Sequence, residues 1–142
     1  MHLSDYYFRS DLFQVEPGET EDPNPPLHGK QLAHWLAKKL DARGFDAPDV
    51  IPEDWGWCVM CRRTPFFLWV GCGGTLEEGA PRDEAALVPV RDILWHCFAE
   101  AEVPFWRRLW GRLDVRPELE TLAGHLEAIL RAEPAIRLVE AP

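Results

Sequence analysis

The chain has 142 residues, of which 46% are hydrophobic and 27% charged, and its formal net charge is −9. This length suits one domain over residues 1–142 that can form a core without disulfides or metals. The negative charge disfavours nucleic acid and anionic membrane surfaces as partners. No apolar run approaches the ~18 residues of a membrane span, and MHLSDYYFRSDLF lacks a secretory-signal pattern, so we expect a cytoplasmic protein.

The first elements in chain order are a strand, a loop and a helix. Residues 6–15 are rich in aromatic and branched side chains and predict a strand. PGETEDPNPPLHG combines prolines, glycines and acidic residues without periodicity, which predicts a stiffened loop. In KQLAHWLAKKLDARG leucines recur at every fourth position beside alanines, which predicts an amphipathic helix over 29–43.

The middle of the chain predicts a hairpin of two strands, over 54–63 and 65–73. The second of these strands is apolar on both faces, so it should be central in its sheet. CGGTLEEGAPRDE is predicted to be a loop, and Pro89 excludes a central strand at that point. Residues 92–100 favour a further strand, with a helix as the alternative.

The last third predicts a short helical or irregular stretch, a helix and a short edge strand. These are PFWRRLWGR, residues 117–132 with a leucine-rich stripe, and AIRLVEA. The element order is then β-α-β-β-(β)-α-β. It predicts an α+β fold, with a mostly antiparallel sheet of about four to five strands and two main helices packed on it.

The C-x-x-C motif at Cys58 and Cys61 invites a metal or redox interpretation. Side chains alternate along a strand, so the two thiols should point apart instead of converging on a metal. His96 and Cys97 should diverge for the same reason, which argues against a nucleophile and base pair. We therefore expect no metal site, no cofactor and no catalytic residue.

Two acidic stretches are candidate binding elements: the loop PGETEDPNPPLHG, which we call the acidic loop, and the stretch PEDWGW. An exposed aromatic surface beside carboxylates is typical of recognition sites, although a core tryptophan pair beside a solvated turn gives the same pattern. The acidic loop lacks the spacing of a calcium loop and is either a docking surface or simply solvated. The candidate residues are Glu19, Glu21, Asp22 and Asn24 in the loop, and Glu53, Asp54, Trp55 and Trp57 in PEDWGW.

PGETEDPNPPLHGKQLAHWLAKKL, PEDWGWCV and FFLWVGCG together resemble a group of small single-domain bacterial proteins. The shared stretches are PGExExPNPxxxGKxLAxWL and PEDWGW. The resemblance covers roughly residues 13–73, with a weaker echo at VRPELETLAGHLEAIL. It implies a bacterial stand-alone domain and assigns no role to any residue, since no function is known for the group.

These observations favour a non-enzymatic binding protein, of which an immunity-like or antitoxin-like partner of a basic protein is one specific form. The supporting features are the acidity and the seven tryptophans. The alternative is a small-molecule-binding protein or enzyme with a pocket between the acidic loop and PEDWGW. Burial of Glu53 or Asp54 in a cleft would favour that alternative, and exposure would favour binding.

Assembly depends on what covers the second face of the sheet. Two helices can cover one face, and the aromatic residues on the other face then need their own cover. The acidic loop or the Trp106–Trp110 stretch could supply it. Otherwise a homodimer or a partner chain would, and the homodimer is the favoured expectation.

Overall fold

The structure, a computed structural model, describes residues 1–15, 28–76 and 92–142. Its strands are β1 (His2–Ser10), β2 (Asp49–Glu53), β3 (Gly56–Arg62), β4 (Phe67–Leu76), β5 (Ile93–Glu102) and β6 (Ile136–Val139). The described helical elements are α1 (Lys30–Asp41), α2 (Arg116–Ala132) and a 3-10 helix (Phe105–Trp110).

All six strands form one antiparallel sheet in the order β2-β3-β4-β5-β1-β6. The α+β class is confirmed, but the prediction of four to five strands is wrong. The 3-10 helix lies in PFWRRLWGR, for which the sequence predicts a short helical or irregular stretch, and it adds a third helical element to the two main helices. β4 is central and β6 is an edge strand, as the sequence predicted.

The additional strand is β2, which the sequence does not indicate because Asp, Pro and Glu are depleted in strands. Its position explains how it tolerates Pro52. β2 lies at the edge of the sheet and pairs only with β3, so a missing backbone N–H can face away from the ladder. β2 and β3 form a tight hairpin in which Glu53 pairs with Gly56.

The first strand is displaced from its predicted span of 6–15. The strand ends at Ser10, whose side-chain oxygen accepts a hydrogen bond from the backbone of Leu12. Phe13 then leaves the sheet and is buried in the core, with its ring edge-on to Trp35 and Trp95. Apolar residues occur after position 10 because they pack in the core, and not because they belong to the strand.

The remaining elements lie close to their predicted positions. β3 and β4 form the predicted hairpin, and the Thr64–Pro65 bond between them is cis. The strand favoured over a helix for 92–100 is confirmed as β5 (Ile93–Glu102). The loop predicted for CGGTLEEGAPRDE is wrong for its first residues because β4 continues to Leu76. Its remainder lies outside the described residues.

Both α-helices pack on the same face of the sheet, where the core lies. α1 contacts β2, β3 and β4, whereas α2 contacts β1, β5 and β6. The predicted apolar stripes are the buried faces of both helices. Pro117 lies in the first turn of α2 and Arg131 in its last turn, which suits the helix start and the helix dipole.

The opposite face of the sheet, which we call the open face, is covered by neither α-helix. The strand registers place on it the side chains of Cys58, Met60, Phe67, Trp69, His96, Phe98, Glu100, His2, Asp5 and Tyr7. Trp106 and Trp110 do not cover this face, because they remain 56% and 86% exposed. The acidic loop, the other candidate cover, lies outside the described residues.

Candidate interaction surface

Three aromatic rings in mutual contact lie on the open face, and we call Trp55, Trp69 and Phe98 the aromatic cluster. The Trp55 ring centroid lies 5.4 Å from that of Trp69 and 5.8 Å from that of Phe98. Trp69 and Phe98 are 5.7 Å apart. These spacings are those of favourable ring contacts. Trp55 lies in the β2–β3 turn and is 45% exposed, so the cluster presents an accessible indole.

Two glycines make this arrangement sterically feasible. A Cβ on Gly71 would lie 2.3 Å from one ring carbon of Phe98 and 2.5 Å from another, so only glycine lets that ring lie on β4. A Cβ on Gly56 would lie 2.5 Å from the carbonyl oxygen of Cys72. The close approach expected at Gly56 is therefore made by the backbone of the neighbouring strand.

Carboxylates border the aromatic cluster, and we call Glu53, Asp54 and Glu102 the acidic rim. Glu53 and Asp54 directly precede Trp55, and all three rim residues are exposed. Glu102 lies at the end of β5, and the thiol of Cys58 is acted on by the charges of Glu53 and Glu102 and by the opposing charge of Arg63. The aromatic cluster thus lies beside three carboxylates that are open to solvent.

The structure brings together only part of the predicted site. Glu53, Asp54 and Trp55 form one exposed turn. Trp57 lies on the opposite face, where it packs against the core. Its indole Nε1 is buried and has no hydrogen-bond acceptor among the described residues. Glu19, Glu21, Asp22 and Asn24 lie outside the described residues.

The open face also holds a polar network that the sequence does not indicate. Asp5 accepts hydrogen bonds from His2 and His96, with its two oxygens 2.9 Å and 2.7 Å from their Nε2 atoms. The Nδ1 of His2 lies 3.0 Å from Glu100. Because both ring nitrogens of His2 face carboxylates, its doubly protonated form satisfies both contacts. No motif could reveal this network, since β1 and β5 supply residues 91 positions apart.

The polar network and the aromatic cluster form one continuous surface through Phe98. The Phe98 ring centroid lies 4.8 Å from that of His2 and 5.3 Å from that of His96. Tyr7 stacks on His96 at 4.3 Å. The network therefore holds the rings of His2 and His96 against the Phe98 ring of the aromatic cluster.

Charges within the network shift two pKa values in opposite directions. Burial opposes the charged form of His2, but the hydrogen bonds and charges of Asp5 and Glu100 outweigh it and raise the pKa of His2 above 6.5. Burial also opposes ionised Asp5, yet its contacts with His2 and His96 lower the pKa of Asp5 below 3.8.

The two shifts define a pH window for the stability of the network. The stabilisation from His2 is fully present below pH 6.5, and it is lost as the pH rises through the raised pKa of the folded state. The stabilisation from Asp5 is present above pH 3.8, and it is lost as the pH falls through its lowered pKa. Both contributions are complete only between these values.

Replacing His2 with glutamine should therefore lower the free energy of unfolding more at about pH 5.5 than at about pH 8.5. His2 is exposed, which limits the difference to about 1 kcal/mol or less. Urea unfolding at both pH values measures it, and His34→Gln on the exposed side of α1 is the control. Equal losses at both pH values would show that the network does not depend on a charged His2.

The four cysteines are all unpaired thiols. The C-x-x-C motif lies in β3, as predicted: Cys58 faces Gly71 on the open face, and Cys61 packs against the core. Burial raises the pKa of Cys58 and of Cys61 to about 12, and it also raises the pKa of Cys72 and Cys97. Such thiols stay protonated at neutral pH, which makes them poor nucleophiles. Within the described ranges, no three His, Cys, Asp or Glu side chains are placed to hold a metal ion.

The native protein at about pH 8 should therefore react with a chromogenic disulfide reagent about 100-fold or more slowly than free cysteine. In denaturant all four thiols should react at once. Absorbance of the released thiolate measures both rates. A fast native phase would contradict the expectation, and Cys61→Ser would show whether this partly exposed thiol causes it.

The geometry defines a six-stranded antiparallel sheet with two α-helices on one face and an acid-rimmed aromatic surface on the other. Comparisons with protein-family models, with curated proteins and with solved structures gave no match to the chain. Among the helices of the described ranges, none has both the length and the apolar composition to cross a bilayer. Function must therefore be inferred from the surface itself.

Proposed function

We propose that this chain is a non-enzymatic binding protein whose open face docks a basic partner protein. A partnership like that of an immunity protein or antitoxin with a basic toxin is the specific form we propose. The observation that supports this most is Trp55, which is 45% exposed on the aromatic cluster and directly follows Glu53 and Asp54. Aromatic anchors supply much of the binding energy of interfaces, and opposite charges speed association.

The shape of the surface favours a protein partner over a small cation. An aromatic cage needs rings that surround a space, whereas the cluster rings lie 5.4–5.8 Å apart and touch one another. A ligand must therefore lie on the rings. Small-molecule sites are usually concave, and a flat aromatic surface with a polar rim is the usual anatomy of a protein interface.

The alternative of a pocket for catalysis or a small molecule receives less support. Glu53 and Asp54 are both exposed on a turn, which is the arrangement expected for binding. The thiols are held in their protonated form by burial.

The same considerations bear on the class of partner and on location. The net charge of −9 supports a protein partner over nucleic acid or a membrane. We also propose a cytoplasmic location, because four unpaired cysteines are typical of a reducing compartment.

Affinity capture from the native host tests the proposal. The test variant combines Trp55→Ser, Glu53→Lys and Asp54→Lys. The matched control combines Asp46→Lys and Glu140→Lys, which reverse two exposed charges elsewhere. A basic protein should be retained by the wild type and by the control, lost from the test variant, and retained less at high salt.

Binding of the purified partner by calorimetry then measures the effect. The test variant should bind about 10-fold or more weakly, as expected for loss of an aromatic anchor and two charges. A partner that binds the test variant and the wild type equally, or an acidic partner, would contradict the proposal.

A further inference from the structure

The 3-10 helix and the two residues after it, 105–112, form a second exposed surface that we call the aromatic–arginine segment. Phe105, Trp106, Leu109 and Trp110 are 79%, 56%, 76% and 86% exposed. Together they expose on the order of 500 Å² of apolar surface. That is near the largest apolar patch a monomer usually carries, so the segment is a candidate interface.

The segment is locally basic on an acidic chain. It contains Arg107, Arg108 and Arg112 and no acidic residue, whereas the whole chain carries −9. The guanidinium of Arg107 lies over the Trp106 ring, 5.2 Å from its centroid. Exposed aromatic and arginine side chains together are the composition of interface anchors.

A groove lies at the base of the segment, beside the end of β5. Its volume is about 740 Å³, and Arg108, Arg112, Val103 and Leu113 are among its lining residues. Glu102 of the acidic rim also lines it, so the groove offers two guanidinium groups and one carboxylate beside apolar side chains. Because the two guanidinium groups outnumber the carboxylate, the groove suits an exposed aromatic side chain that is flanked by acidic residues.

The chain itself contains such a side chain. The β2–β3 turn presents Trp55 at 45% exposure with Glu53 and Asp54 next to it. We propose that this turn docks in the groove of a second copy of the chain, with its two carboxylates beside Arg108 and Arg112. Trp106 and Trp110 of that second copy then pack on the aromatic cluster. This inference rests on the proposed function, because it uses the same face.

Charge complementarity favours a second copy over other occupants. The turn carries two carboxylates, and in the groove the two guanidinium groups of Arg108 and Arg112 outnumber the single carboxylate of Glu102. Turn and groove are present in equal amounts in any solution of the protein. A membrane or nucleic acid approaching the segment would also meet the net charge of −9. Two copies can exchange turns reciprocally as a closed dimer, whereas a head-to-tail contact would extend into larger assemblies.

The size of the contact sets the affinity to expect. The segment's apolar surface, on the order of 500 Å², is below the roughly 800 Å² per partner of standard interfaces. We therefore expect self-association in the micromolar range that weakens with added salt. A basic partner would then compete with the second copy for the turn.

A charge-swap experiment tests the contact by sedimentation velocity from about 5 to about 200 µM, a range that brackets micromolar dissociation constants. The turn variant is Glu53→Arg with Asp54→Arg, and the groove variant is Arg108→Glu with Arg112→Glu. Each alone should self-associate about 10-fold or more weakly than the wild type because like charges then meet. An equimolar mixture of the two should recover association.

The control, Asp46→Arg with Glu140→Arg, changes the net charge as the turn variant does and should associate like the wild type. A wild type that stays monomeric at the highest concentration would overturn the inference, as would variants that associate normally or a mixture that does not recover. Capture of a basic protein by a strictly monomeric chain would refute this contact and leave the proposed function standing.

A vesicle experiment tests whether the aromatic–arginine segment binds an anionic bilayer instead of a second copy. Phosphatidylglycerol-containing vesicles should not co-sediment with the protein. Binding to them by a monomeric wild type, lost in the groove variant and absent with phosphatidylcholine alone, would assign the segment to an anionic bilayer and overturn the contact between copies.

Discussion

Replacing Leu126 with alanine should lower the free energy of unfolding by about 2–5 kcal/mol. Leu126 is fully buried in the middle of the α2 stripe, within the core cluster that both α-helices and the sheet share. Truncation removes apolar contacts and leaves a cavity that a well-packed core closes only partly. Urea unfolding followed by far-ultraviolet circular dichroism measures the loss.

Gly124→Ala in the same helix provides the matched control. Gly124 is exposed, and an added Cβ would meet nothing within 4 Å, so alanine should raise the free energy of unfolding by about 0.5–1 kcal/mol. A loss below about 0.5 kcal/mol for Leu126→Ala would mean that the core face of α2 is misassigned.

Replacing Gly71 with alanine should cost about 1–3 kcal/mol, as expected for overpacking. The added Cβ would lie 2.3–2.9 Å from three ring atoms of Phe98, so this ring must leave β4 and disturb its contacts with Trp55 and Trp69. Near-ultraviolet circular dichroism should report the altered aromatic cluster, and urea unfolding the lost stability.

Gly73 lies on the same face of the same strand, and a Cβ there would meet nothing within 4 Å. Gly73→Ala should therefore change stability by less than about 0.5 kcal/mol. Adding Phe98→Leu to Gly71→Ala should give a total loss smaller than the sum of the single losses, because the clash is then relieved. Additive losses would show that the Phe98 ring does not lie on Gly71.

The helices were predictable from the sequence because their burial follows one local period. Leu32, Leu36 and Leu40 recur every fourth residue and all face the core. The central position of β4 was also predictable, because its residues are apolar on both faces. In each case the burial of a residue can be inferred from the pattern of apolar side chains within a few positions of it in the sequence.

The elements that were mispredicted depend on distant residues. β2 is a strand because β3 supplies its hydrogen bonds, and its own composition argues against one. The strand at the start of the chain ends at Ser10 because Phe13 leaves the sheet and packs against Trp35 of α1 and Trp95 of β5. Local propensity cannot anticipate either case.

The candidate site was predictable only in part for the same reason. The turn with Glu53, Asp54 and Trp55 was located from its aromatic and acidic composition. Trp57 does not lie with these residues, because alternation along β3 directs that ring to the core face. The network of His2, Asp5 and His96 depends on the pairing of β1 with β5, which no short stretch of sequence encodes.

The strand order also has a consequence for how the chain reaches its fold. β2, β3, β4 and β5 are neighbours in both sequence and space, whereas β1 lies between β5 and β6. Asp5 and His96 are 91 residues apart, so joining these strands closes a long loop at a considerable entropic cost. Such non-local pairing slows folding. β1 is synthesised first, but it can pair only after β5 and β6 have been synthesised. The sheet is therefore completed last at the strand that is made first.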